Sequence, residues 1–182
     1  MLEITVPASE VYDEVHELFI FTETCKLQLE HSLISISKWE SHWHKPFITR
    51  SKEDRHTNEE LLDYIRCMTL NRNVDPNVYL VLTPSNLKAI EAYMNDPMTA
   101  TTVRDIPGSP MRREIVTSEL IYYWMISFNI PVEFEKWHIN RLIMLIKVCS
   151  AKNNPQKMSN KAILAQNRRI NEARKKALGT KG

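Results

Sequence analysis

The stretch that decides the fold class is residues 117–150, TSELIYYWMISFNIPVEFEKWHINRLIMLIKVCS. It predicts two helices, over residues 117–128 and 131–150, because Pro131 cannot continue the first helix but starts the second one well. Apolar side chains form a broad stripe along the second helix, so it must be covered on nearly all sides. The connection between them is short, which predicts an antiparallel or steeply crossed helix pair.

Further helices are predicted upstream from their capping signals. Ser32 is expected to cap a helix that ends near residue 44, and Thr57 with Glu60 forms a capping box for a helix that ends near residue 70. Thr83-Pro84 opens another helix, which Asp96-Pro97 closes. Its inner face is predicted to carry Leu87, Ile90 and Met94.

Short strands are predicted near the N-terminus. Apolar and polar residues alternate at residues 2–6, and β-type runs follow at residues 18–22 and 25–29. Two or three such strands form a sheet that needs helices packed on it for stability. Residues 78–82 are interpreted as a further strand or a buried connector.

These elements predict an α+β fold that is mainly α-helical. The short N-terminal strands are expected to pack on a single helical domain of residues 1–152, with a flexible loop at about residues 98–113. Residues 153–182 are expected to form a basic C-terminal helical extension that ends at Gly179.

Composition excludes several classes. The chain contains only three glycines, which argues against Rossmann and P-loop folds, since their phosphate-binding turns need several. No apolar run is long enough to cross a bilayer, and the N-terminus lacks the features of a signal peptide. Three cysteines without a close pair fit a reducing cytoplasm.

Charge divides the chain into an acidic body and a basic tail. From Lys157 onward the net charge is +7, and the preceding residues carry −5. This predicts an acidic partner for the tail: the body itself, another copy, another protein or nucleic acid. Nucleic acid is the less favoured choice, because no aromatic residue is interleaved for base stacking. The candidate tail residues are Lys161, Arg168, Arg169, Arg174, Lys175 and Lys176.

Catalytic and metal chemistry are not expected. His42, His44, His56 and Cys67 lack the close ligand pairs of structural zinc sites. Cys67 and Cys149 lie on apolar helical stretches, where a thiol is usually inert. We therefore expect a protein that is not an enzyme and has no cofactor.

Clustered aromatic residues are the candidate contact surface. Tyr122, Tyr123 and Trp124 are consecutive, so they cannot all face one core, and Phe134 and Trp137 follow on the next predicted helix. Two interpretations stay open. Two helical layers bury these rings, or some of them anchor a protein interface, where aromatic residues are enriched.

Several blocks of this sequence resemble uncharacterised proteins of tailed bacteriophages. The blocks are LEHSLISISKWE at residues 29–40, WHKPF at 43–47, DYIRCMTL at 63–70, IVTSELIYYWM at 115–125, EKWHINRL at 135–142 and the ending from NEAR at 171–174 through residue 182. Proteins of this kind are encoded among tail genes and commonly labelled tail assembly chaperones. None of these blocks carries a known catalytic or ligand-binding role.

The resemblance implies a small protein of the host cytoplasm that coats or escorts the tape-measure protein until tail tube subunits replace it. The tape-measure protein, the tail tube protein and a second copy of this chain are the partners considered. The alternatives are a structural virion protein, such as a tail completion or head–tail connector subunit, and a nucleic-acid-binding regulator that uses the final helix.

Overall fold

The computed structural model describes residues 1–13, 17–48, 56–101 and 115–153, together with residues 164, 167–168, 170–172, 174–175 and 179. Within these ranges the fold is α+β, as predicted. The strands are β1 (Leu2–Val6), β2 (Ser9–Asp13), β3 (Leu18–Thr22) and β4 (Cys25–Leu29). The α-helices are α1 (Leu33–Trp43), α2 (Asn58–Met68), α3 (Pro84–Asn95), α4 (Ser118–Ser127) and α5 (Ile139–Asn153), and 3₁₀-helices span Pro76–Tyr79 and Val132–Lys136.

The four strands form one long antiparallel ribbon in two halves. β1 pairs with β4 and β2 pairs with β3, in the same register: Val6 lies opposite Cys25, and Ser9 lies opposite Thr22. Residues 7–8 and 23–24 separate the two halves. Pro7, one of these residues, lacks the N–H that a continuous ladder of hydrogen bonds needs. The prediction of two or three strands therefore missed β2. Its sequence, SEVYD, is rich in residues that disfavour strands, and pairing with β3 overrides that preference.

The inner half of the ribbon belongs to the core. Ile4, Val6, Leu27 and Leu29 are buried on one face. Residues 69–71 lie along the other edge of β4, where the Leu70 N–H donates to the Gln28 carbonyl at 2.8 Å. β4 thus has partners on both edges.

The predicted starts of the first four α-helices are confirmed by their caps. Ser32 caps α1, Thr57 and Glu60 form a reciprocal capping box at α2, Thr83 caps α3 and Thr117 caps α4. α1 ends at His44, which adopts a left-handed conformation with φ 53°. These short-range signals need no tertiary contact to operate.

The predicted helix over residues 131–150 is wrong in its first third. A 3₁₀-helix, Val132–Lys136, comes first, Trp137 is extended, and α5 begins only at Ile139. The reason is a long-range contact: the Ile139 N–H donates to the His31 carbonyl at 2.7 Å, and Ser32 forms a β-bridge with His138. Docking on the start of α1 therefore replaces the first eight residues of the predicted helix.

Two smaller expectations are corrected. Residues 78–82 contain no strand, because a 3₁₀-helix buries Val78 and Tyr79 there, as a connector would. On α3, Leu87 faces solvent and Asn86 is buried instead. The Asn86 amide donates to the Thr5 carbonyl on β1 at 3.1 Å, so a hydrogen bond to the ribbon orients this helix.

Two compact units make up the chain, Met1–Val148 and Cys149–Gly182. The division between residues 148 and 149 falls within the sequence of α5. Most of the predicted loop at residues 98–113 lies outside the described residues. In the second unit, the described residues from 164 to 175 are helical, and Gly179 has a left-handed φ of +65°.

Candidate protein-binding surface

α4 presents two different faces. Ile121 and Met125 point into the core and are fully or almost fully buried. On the opposite face Tyr123 is 63% exposed and Ile126 is 75% exposed. Because residues three apart are neighbours on a helix, these two side chains form one apolar area, which we call the α4 surface.

The α4 surface stands on a firmly held helix. Glu40 of α1 is buried, and both of its carboxylate oxygens accept backbone hydrogen bonds, from Phe47 at 2.8 Å and from Ser118 at 2.7 Å. The second of these hydrogen bonds holds Ser118, the first residue of α4. A helix N-terminus has free N–H groups and a partial positive charge, so a carboxylate is well suited to it.

Tyr122 connects α4 to the 3₁₀-helix Val132–Lys136. Its hydroxyl donates to Glu135 at 2.9 Å, and burial together with this carboxylate raises the pKa of Tyr122 to about 12. The phenol therefore stays protonated and serves as a donor throughout the neutral range. Tyr122 thus braces the helix rather than offering a free ring.

Phe134, Trp137 and Arg141 form a stack where the 3₁₀-helix leads into α5. The rings of Phe134 and Trp137 are parallel to within 14°, with centroids 3.9 Å apart. The Arg141 guanidinium lies 4.1 Å from the Trp137 ring centroid, a cation–π contact. Both aromatic rings are half-buried, so the stack presents one partly exposed edge.

The predicted contact residues therefore separate into three groups. Tyr122, Trp124 and Phe134 pack against the core and are half-buried. Trp137 is held between Phe134 and Arg141. Tyr123 alone among the five projects freely into solvent, and the sequence analysis did not single out its neighbour Ile126.

The histidines that were candidate zinc ligands contact aromatic rings instead. His56 stacks on Phe47 with ring centroids 5.0 Å apart, and His42 contacts Trp43 edge-on. No group of three or more potential ligands arranged for a metal ion occurs in the described part of the chain. Burial raises the pKa of Cys67 to about 11, so its thiol is not a reactive thiolate.

The candidate basic residues are only partly described. Arg168, Arg174 and Lys175 are helical and exposed, whereas Lys161, Arg169 and Lys176 lie outside the described residues. The helices described here include none that is both long enough and apolar enough to cross a membrane.

A second exposed apolar area was missed by the sequence analysis. On the outer half of the ribbon, Tyr12 packs against Phe19 with ring centroids 5.0 Å apart, and Phe21 is 70% exposed on the same face. The sequence feature that could have indicated this exposed area is its charge. Residues 9–24 contain five acidic residues and neither lysine nor arginine, a composition that does not suit burial.

Comparison of the chain with family models, with curated proteins and with solved structures found no match in any of the three.

Proposed function

We propose that this protein is a tail assembly chaperone of a long-tailed bacteriophage, which binds the tape-measure protein in the host cytoplasm before tail tube subunits replace it. The observation that carries the proposal is the α4 surface, where Tyr123 and Ile126 are exposed on a helix whose opposite face packs into the core. The resemblance of the sequence blocks to phage tail proteins indicates the tape-measure protein as the binding partner. That resemblance and this surface are independent lines of support.

The α4 surface suits a helical client. A tape-measure protein is expected to be long and helical, with apolar stripes that aggregate when they are uncovered. Tyrosine and isoleucine spaced three residues apart fit an apolar helix face, and aromatic residues are frequent energetic anchors of interfaces. Because Glu40 and Tyr122 hold α4 in place, binding loses little backbone freedom.

The stack of Phe134, Trp137 and Arg141 offers further side chains of the kinds found in interfaces. The partly exposed edge of Trp137 and the exposed Arg141 offer one aromatic and one cationic group. Arginine and tryptophan are the residue types most enriched among interface anchors, together with tyrosine. The proposed client surface therefore pairs apolar positions with an acidic group for Arg141.

Co-expression with the tape-measure protein of the same genome tests the proposal. The double variant Tyr123→Ser/Ile126→Ser is expected to bind the client at least about tenfold more weakly, since each lost anchor costs about 1 kcal/mol or more. The matched control is Leu80→Ser/Leu87→Ser, which removes two exposed apolar side chains elsewhere on the same unit. Thermal unfolding verifies that both variants fold.

Equal capture by the double variant and the control would overturn the role of the α4 surface. A client that is soluble without this protein would overturn the chaperone proposal itself. Stoichiometric presence in purified virions would favour a structural subunit. Salt-dependent DNA binding that is lost on reversing the tail charges would favour a nucleic-acid-binding regulator.

A further inference from the structure

The outer half of the ribbon is an acidic arm with an aromatic face. We define the acidic arm as residues 9–24, with β2 and β3 as its strands. On one face Tyr12 lies opposite Phe19, and Glu10 lies opposite Phe21. Tyr12, Phe19 and Phe21 are all largely exposed, so this face has no covering element among the described residues.

A groove continues this face at the base of the arm. It has a volume of about 380 Å³ and lies between the arm and residues 71–78, with Phe21, Val74 and Val78 among its apolar lining. Glu23 and Asp75 also line it, against one cation, Arg72. The arm and its groove thus combine apolar contact with a negative excess.

The charge of the arm accounts for the whole imbalance of the body. The arm carries −5, with its histidine neutral, and all residues before Lys157 together carry −5. The remainder of the body is therefore neutral. The compensating charge is in the tail from Lys157 onward, which carries +7.

The tail has apolar and basic side chains, which complement the aromatic and acidic side chains of the arm. Leu164, Arg168 and Lys175 lie at helical spacings of four and seven residues, so they share one helix face, and all three are exposed. Ile170 and Arg174, four residues apart on another side of the helix, are exposed as well. The contact of Arg141 with Trp137 shows the kind of cation–π pairing that arginines of the tail would make with the arm.

We propose that the acidic arm is the docking site for the basic C-terminal helix of a second copy of this chain. Apolar contact with Phe19 and Phe21 and attraction between unlike charges act together in this association. The exchange is reciprocal, since each copy has one arm and one tail, and two such contacts close a symmetric dimer. This association is independent of the proposed client binding at the α4 surface.

Sedimentation equilibrium of the full chain is the first measurement. A dimer is expected at about 0.05 M NaCl, and its dissociation constant should rise at least about tenfold at about 0.5 M, where charges are strongly screened. A protein that is monomeric at every concentration overturns the proposal. A dimer whose affinity does not depend on salt overturns it too.

A charge exchange identifies the two surfaces. Variant one carries Glu10→Lys, Glu17→Lys and Glu23→Lys, which change the arm from −5 to +1. Variant two changes the tail from +7 to −3 with Arg168→Glu, Arg169→Glu, Arg174→Glu, Lys175→Glu and Lys176→Glu. Each variant alone is expected to be monomeric, because its arm and tail have the same sign. An equimolar mixture is expected to form a one-to-one dimer, because every arm then meets a tail of opposite sign.

The matched control has the same charge change at exposed positions elsewhere, Glu59→Lys, Glu91→Lys and Glu133→Lys, and should still dimerise. Phe21→Ser leaves the charge unchanged and is expected to weaken the dimer at least about tenfold. Dimerisation of either variant alone, or a mixture that stays monomeric while both variants show native circular dichroism, would refute the assignment. Loss of client capture instead of dimerisation on Phe21→Ser would assign the arm to another protein.

Discussion

Glu40 is the single polar residue on which the position of α4 depends most. Its two oxygens accept hydrogen bonds from Phe47, seven residues along the chain, and from Ser118, 78 residues along the chain, and its side chain is buried. A carboxylate is acceptor-only, so it suits two N–H groups. An amide in its place would turn a donor toward one of them.

Glu40→Gln is therefore expected to lower the free energy of unfolding by about 2 kcal/mol, because one buried N–H group loses its acceptor. Urea unfolding measures the loss. Glu91→Gln on the exposed face of α3 is the control and should change stability by less than about 0.5 kcal/mol. Similar values for the two variants would show that Glu40 has no such role.

Two buried histidines make the body sensitive to acid. His31 and His138 are in edge-on contact with ring centroids 5.1 Å apart, and the His31 Nδ1 lies within hydrogen-bonding distance of the Tyr64 hydroxyl. Burial, and then the neighbouring His138, lowers the pKa of His31 from 6.5 to about 3. Burial also lowers the pKa of His138, although its bond to the Tyr93 carbonyl opposes this.

Stability is expected to fall as the pH falls from about 6.5 toward 3. Between these values the unfolded chain binds protons that folded His31 does not, so unfolding takes up protons and acid favours it. From His31 alone, the loss at pH 5 is about 2 kcal/mol. Urea unfolding at pH 7 and pH 5 measures it. His31→Gln should reduce the pH dependence, whereas exposed His42→Gln should retain it, and an unchanged dependence in His31→Gln would exclude His31 as its source.

At the scale of single elements, helix ends carry strain that substitution should relieve. His44 ends α1 in a left-handed conformation, with φ 53°, and its side chain is exposed. A side chain with a Cβ pays roughly 1–2 kcal/mol in this region, and glycine does not. The N–H of residue 44 donates to the Glu40 carbonyl at 2.8 Å, and this bond is kept by any residue except proline.

His44→Gly is expected to raise the free energy of unfolding by about 0.5–1 kcal/mol. Glycine removes the strain in the folded chain, but its greater conformational freedom in the unfolded chain offsets part of this gain. Ser41→Gly, at an exposed position inside the same helix, should instead lower it by about 0.5 kcal/mol. Thermal unfolding of both variants gives the two signs. A decrease for His44→Gly would mean that the imidazole contributes more than the strain costs.

Across the whole molecule, protection from hydrogen exchange is expected to differ between the two halves of the ribbon. The half formed by β1 and β4 buries Val6, Leu27 and Leu29 and has residues 69–71 on its other edge. The half formed by β2 and β3 is a two-stranded sheet with an exposed aromatic face. A two-stranded sheet is marginal in water by itself.

Hydrogen exchange should therefore be slowest in β1 and β4, near the rate set by global unfolding, and much faster in β2 and β3 through local opening. Exchange mass spectrometry at low protein concentration measures this contrast. Dimerisation through the acidic arm predicts slower exchange in β2 and β3 at high concentration, with β1 and β4 unchanged. Equal protection of both halves at low concentration would contradict the marginal stability of the arm.

Local chemistry by itself determined the starts of α1 to α4, the approximate positions of three strands and the α+β class. Ser32, Thr57, Thr83 and Thr117 cap their helices through hydrogen bonds that span only three residues, so the sequence contains the complete instruction. The candidate aromatic residues at positions 122–124, 134 and 137 were also recognisable as a cluster. Their individual exposure was not, because consecutive residues on a helix point in different directions.

Only the tertiary structure decided the features that depend on residues far apart in the chain. The 131–150 helix breaks because His138 and Ile139 bond to the start of α1, a contact that periodicity does not encode. β2 exists because β3 supplies its hydrogen-bond partners, against its own propensity. The α4 surface and the aromatic face of the arm are exposed for the same kind of reason: burial is set by what the folded chain brings against a side chain, not by how apolar that side chain is.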